Sequence, residues 1–179
     1  MRIRFAALAA LAMASIATPS IAEESKQVNM TPPTLAKDQH ALLTSDDPQL
    51  AANKQLVYDM YRTVLQAGQA DKAKEFIRED YIQHNPTVVS GRAALEEYVS
   101  STRPVREVKD TLELPLVTIL AERDLVSVVF VRPEKDAEGN DYYSTWFDLF
   151  RIEDGKIAEH WDPMLRGEAP IDPNDKQID

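Results

Sequence analysis

Hydrophobic spacing along the chain changes type once. Leu50, Leu56, Val57, Met60, Tyr61, Val64 and Leu65 recur at helical intervals. Asp47 followed by Pro48 supplies an N-cap and a proline at the first helical position, and Gly68 supplies a stop. A second, shorter helix is expected after Asp71, with Ala73, Phe76 and Ile77 on its buried side. After the non-helical stretch Tyr81-Ile82-Gln83-His84-Asn85-Pro86, Ser90 can cap a third helix that turns Leu95, Tyr98 and Val99 inward and ends at Pro104.

From there the pattern becomes β-rich, with runs at 114–120, 125–132, 142–152 and 156–164. The links are short and polar, and the last is Glu153-Asp154-Gly155. Consecutive strands joined in this way form an antiparallel meander. Three helices followed by such a sheet predict an α+β domain whose helices cover one sheet face.

The last link admits two registers. A two-residue type I′ turn at Asp154-Gly155 pairs Glu153 with Lys156 and sets Asp148 opposite Trp161. A three-residue loop with Gly155 in the left-handed bulge position pairs Ile152 with Lys156 and sets Asp148 opposite His160. The second gathers Trp146, Asp148, His160 and Asp162 on one face, and it is the register expected here, because those four groups make a pocket wall.

The ends read differently. Arg2 and Arg4 precede an apolar run over 5–17 that is too short to span a bilayer, and Ser20-Ile21-Ala22 offers small residues for cleavage after Ala22. Residues 1–22 are therefore expected to be a signal peptide, which places the mature protein in the periplasm or outside the cell. Residues 23–46 are expected to be a tether, 47–165 the folded domain and 166–179 a flexible tail rich in proline and acids. The net charge of the full chain is −10, and losing Arg2 and Arg4 makes it more acidic by two. Such a domain repels phosphate backbones and anionic membranes, so neither nucleic acid nor a membrane is expected as a partner after cleavage. The absence of cysteine excludes disulfides, thiolate metal sites and cysteine nucleophiles.

The order of three helices and a meander, with YIQHNP at 81–86 and DLFRIEDGKIAEHWD at 148–162, resembles the SnoaL-like branch of the nuclear-transport-factor-two-like superfamily. The resemblance spans about residues 48–164. It implies a cone in which a strongly curved antiparallel sheet wraps the long first helix and leaves a cavity. It further implies, from members that are polyketide cyclases, an aldol-type closure without metal or cofactor, driven by a cavity aspartate. Carried onto this chain, Asp162 or Asp148 is the acid/base, with His84 and His160 as hydrogen-bonding partners. Homodimerisation is implied as well, through sheet surface the helices leave uncovered.

Each candidate has a plain structural reading beside the functional one. A carboxylate buried among aromatic rings gains proton affinity and can move a proton next to a carbonyl, whereas an ordinary strand aspartate faces solvent or pairs with an arginine such as Arg151. His84 either dips into the cavity mouth or bonds loop backbone. Trp146, Trp161, Tyr58 and Asn85 are expected to contact the ligand, although tyrosines such as Tyr58 equally suit a core. His160-x-Asp162 with a remote His84 would be a two-histidine, one-carboxylate metal set. That spacing is common by chance, so no metal or cofactor is expected. The expected partner is a small apolar or aromatic molecule. The main rival to the enzyme is a non-catalytic module binding a hydrophobic ligand.

Overall fold

The computed structural model describes residues 33–135, 139–164 and 166. The signal peptide expected at 1–22, the first part of the tether and the tail after Arg166 lie outside the described residues.

Helix α1 (Pro48–Met60) starts as its sequence dictates: the Asp47 carboxylate accepts the backbone N–H groups of Gln49 and Leu50 at 2.8 and 3.4 Å. It runs on into a wider π-helical turn, Tyr61–Gln66, closed by the Ala67 N–H donating to Arg62 O. Gly68 ends it with φ +65°, and a Cβ there would stand 2.6 Å from the Pro104 carbonyl oxygen. Glycine is thus required twice at this position, by backbone conformation and by close approach.

The second helix is much shorter than its pattern suggested. Helix α2 (Ala73–Phe76) gives way at once to strand β1 (Ile77–Gln83). Helix α3 (Arg92–Thr102) follows, started by Gly91 because the Ser90 hydroxyl instead accepts the Gln83 N–H at 3.0 Å. Strands β2 (Leu116–Glu122), β3 (Leu125–Lys135), β4 (Asp141–Glu153) and β5 (Lys156–Trp161) form the expected antiparallel meander. The sheet order is β1-β5-β4-β3-β2, with β1 parallel to β5. The sheet is therefore mixed rather than wholly antiparallel, and the fold is the α+β cone of three helices on one sheet face. Its inward side chains, among them Val126, Val128, Phe130 and Ile157, bury against Val57, Val64 and Val99 of the helices.

The segment expected to be a tether is fixed from its second half onward. His40–Leu43 forms a 3-10 helix, Leu43 is buried, and Gln39 Nε2 donates to Leu112 O at 2.9 Å while its Oε1 accepts the Leu112 N–H. Buried Lys54 reaches back from α1 to donate to Leu42 O at 2.7 Å. Among the described residues, no helix is long and apolar enough to cross a membrane.

The hairpin between β4 and β5 contradicts the preferred register at its turn. Asp154 and Gly155 have φ of 52° and 72°, and Glu153 pairs with Lys156: a two-residue type I′ turn. A bulge then intervenes. Ile152 pairs with Ile157 but Arg151 pairs with Glu159, so Ala158 is the extra residue on β5. The slip restores the parity that the three-residue loop would have produced. Phe150 pairs with His160, so His160 shares the inward face with Trp146 and Asp148.

Candidate functional site

Between the inward sheet face, the π-turn of α1 and α3 lies a cavity of about 120 Å³. Most of its wall is apolar, with Met60, Leu65, Ile77 and Leu95 contributing, and its polar groups gather where β1, β4 and β5 run side by side.

Asp148 is the more enclosed of the two cavity carboxylates, 5% exposed. Its Oδ2 accepts the Tyr61 hydroxyl, delivered by the first residue of the π-turn. Its Oδ1 accepts Trp146 Nε1 at 2.8 Å and lies 3.1 Å from His160 Nε2. The Tyr61 phenol is pushed well above its ordinary range, first by burial and then by the Asp148 charge. It therefore serves Asp148 as a neutral donor.

Asp162 stands just past the end of β5. Asn85 Nδ2 donates to both of its oxygens, at 2.9 and 2.8 Å, and the Met164 N–H donates to Oδ1 at 3.1 Å. Oδ2 carries only the shared Asn85 bond, which makes it the freer carboxylate oxygen of the pair.

The two carboxylates are joined through Gln83 and His160, which are partners across the parallel β1–β5 pair. Gln83 Oε1 accepts the Asn85 N–H at 3.1 Å, which turns its Nε2 toward His160 Nδ1 at 2.8 Å and Tyr81 Oη at 3.1 Å. Gln83 Oε1 lies 3.1 Å from Nδ1 as well, and Nε2, which faces the Asp148 carboxylate, carries an imidazole proton toward it. Phe150 stacks on the ring, centroids 4.5 Å apart.

Asp148, Asp162, His160, Trp146 and Asn85 thus come together in one cavity wall. Three expected members do not. His84 is on the outer sheet face, stacked on Trp161 at 4.5 Å with its Nε2 2.6 Å from Glu159 Oε2. The reason is alternation: Gln83 points in, so His84, bonded through its N–H to His160 O, points out. Trp161 follows His160 on β5 and faces outward by the same rule. Hydrogen bonds from His84 and then Arg151 hold the Glu159 carboxyl below its usual range. Tyr58 is fully buried but turned away from the cavity, donating its hydroxyl to Gln39 Oε1 at 2.7 Å.

The metal set with His84 is accordingly not assembled. Asp148, His160 and Asp162 do offer ligand atoms within 4.8 Å of one another, close enough to share one ion. His160 Nε2 and Asp148 Oδ1 already face each other, so an ion there would have to replace that contact.

Sequence reasoning missed Tyr61, Gln83 and Tyr81. For the last two a signal existed: Tyr81, Gln83 and Asn85 alternate with Ile82 and His84, as a strand with a polar inner face would.

An α+β cone with a partly polar pocket between sheet and helices is a fold class that hosts ligand-binding and catalytic sites alike. The family model for the SnoaL-like domain matches residues 57–160, and the chain belongs to that family. No protein of curated function matches it. Among solved structures, TsrD from Streptomyces laurentii is 22% identical, covering 63% of this chain and 87% of its own, with a TM-score of 0.44. An NTF2-like protein from Mesorhizobium loti is 19% identical, covering 66% and 94%, TM-score 0.45. A candidate SnoaL-like polyketide cyclase from Jannaschia is 14% identical, covering 67% and 91%, TM-score 0.46. These likenesses concern the fold.

Proposed function

We propose that the chain is an acid/base enzyme working without a cofactor on a small, largely apolar carbonyl compound, of the aldol cyclase, isomerase or dehydratase type. The observation that carries this is the division of labour between two carboxylates in one apolar cavity. Asp148 is saturated by three protein donors and holds Tyr61, Trp146 and His160 in place, whereas Asp162 keeps Oδ2 available. Asp162 is then the group that takes a proton from carbon next to the carbonyl, and Asn85 orients it. Membership of the SnoaL-like family supports small-molecule binding.

The test needs no knowledge of the natural substrate. In D₂O, wild-type protein should catalyse exchange of the α-protons of cyclohexanone, followed by NMR, and Asp162→Asn should slow it by about a hundredfold or more. Binding without exchange would favour the second reading, a hydrophobic-ligand module. That reading is supported by the satisfied hydrogen bonds of Asp148, which allow the pocket to hold a ligand with no turnover.

The same proposal includes export and a homodimer. Export rests on Arg2, Arg4 and the apolar run that ends before Ala22. The dimer rests on the outer sheet face, where Phe147 is 55% exposed and Ile82 and Leu120 are exposed as well. N-terminal sequencing of exported protein tests the first, and light scattering the second.

A further inference from the structure

The buried donors of the cavity wall are almost all committed to protein acceptors. Tyr61 and Trp146 donate to Asp148, Asn85 donates to Asp162, and Gln83 Nε2 is directed at Tyr81 Oη and His160 Nδ1. Among the buried hydroxyls of the wall, Tyr81 is the exception. Its ring is 4% exposed, it lines the cavity from β1, and its hydroxyl oxygen accepts from Gln83, yet its own hydrogen meets no acceptor among the described residues. A buried O–H without an acceptor costs free energy unless something else supplies the acceptor. In this cavity, that acceptor is water when the site is empty and a ligand's oxygen when it is filled.

The size of the space narrows the ligand. Roughly 150 Å³ of apolar cavity accommodates benzene. The 120 Å³ here therefore suits one ring or its open-chain equivalent rather than a fused polycycle.

We propose that the Tyr81 hydroxyl receives the carbonyl oxygen of a compact, single-ring-sized ketone or enone whose α-carbon faces Asp162. This rests on the acid/base reading above and adds to it the oxygen-binding residue and the substrate class. Asp162 takes the α-proton, the C–H electron pair becomes the enolate double bond, the carbonyl π pair moves to oxygen, and the Tyr81 O–H stabilises that charge. Return of the proton from Asp162 to carbon completes the cycle. The phenol suits the task because burial, and after it the charges of Asp148 and Asp162, hold its proton far beyond neutral pH. It therefore stays protonated, and able to donate, at neutral pH.

Cyclohexanone labelled with carbon-13 at the carbonyl is the probe. Bound to wild type, its carbonyl signal should lie as far downfield as in water. In Tyr81→Phe it should move upfield by several ppm toward its value in hydrocarbon while binding persists, and α-proton exchange should fall by about 10²-fold. Tyr98, a partly exposed cavity tyrosine, gives the control: Tyr98→Phe should leave the signal in place. Asp162→Asn should stop exchange and keep the downfield signal, so loss of the base and loss of the oxygen donor are read separately. An unchanged signal in Tyr81→Phe overturns the proposal, as does wild type that ignores cyclohexanone at millimolar concentration but binds bicyclic ketones. Should Tyr81→Phe not fold, wild type labelled at tyrosine Cζ replaces it. The Tyr81 resonance must then respond to cyclohexanone and not to methylcyclohexane, and an equal response to both overturns the proposal.

Discussion

Gln83 and His160 sit opposite each other across the only parallel strand pair of the described sheet, with Gln83 Nε2 2.8 Å from His160 Nδ1. Donated by Gln83 Nε2, that contact supports the Asp148 carboxylate in favouring the imidazole tautomer whose Nε2–H faces Asp148. In Gln83→Leu, Nδ1 loses its donor, and nitrogen-15 NMR of His160 should change from the Nε2–H form to a mixture of tautomers. Stability should fall by about 1–2 kcal/mol. An unmixed Nε2–H signal in the variant would show that Asp148 alone fixes the ring.

Asp148→Asn places an amide where three donors converge, so one of them must face an N–H group. Urea unfolding should show a loss of about 2–4 kcal/mol, against less than about 1 kcal/mol for Asp162→Asn, whose carboxylate is partly exposed. Equal losses would mean that Asp148 is not the organising carboxylate.

Much of the fold was legible because its signals were local. Asp47-Pro48 fixed the start of α1, Gly68 its end, and alternation fixed the four meander strands. Strand β1 was illegible for a physical reason: its inward positions Tyr81 and Gln83, continued by Asn85, line a site, so the strand carries polar groups inside and Ile82 outside. Hydrophobic patterning reads such a strand inside out. The same inversion misplaced His84. In the hairpin, the face shared by Trp146, Asp148 and His160 was expected correctly but from the wrong feature, a three-residue loop. A tight turn and the bulge at Ala158 give the same parity. That bulge was visible only as two inward residues, Ile157 and His160, spaced three apart.

Alkaline stability follows from the two cavity tyrosines. Burial, then neighbouring carboxylates, raise both Tyr61 and Tyr81 above the ordinary phenol value of about 10. The folded form therefore keeps protons that the unfolded chain releases. Their contribution is fully present below about pH 10 and is lost as pH rises above it. Urea midpoints should fall from about pH 10 upward, and the Tyr61→Phe, Tyr81→Phe double variant should show a shallower fall.

Phe147→Glu puts a charge in the exposed apolar part of the outer sheet face. Light scattering at tens of micromolar should change from dimer to monomer, with secondary structure retained. A monomeric wild type would remove the dimer from the proposal.

The cavity is bounded on its sheet side by a wall one strand thick, and β5 serves both surfaces in turn. Glu159 and Trp161 meet His84 outside, while His160 lies in the pocket and Asp162 just beyond the strand's end. Substitutions at four consecutive positions, 159 to 162, would therefore not produce a graded series of defects. They would alternate between two phenotypes, one of surface association and one of ligand chemistry, with a period of two residues.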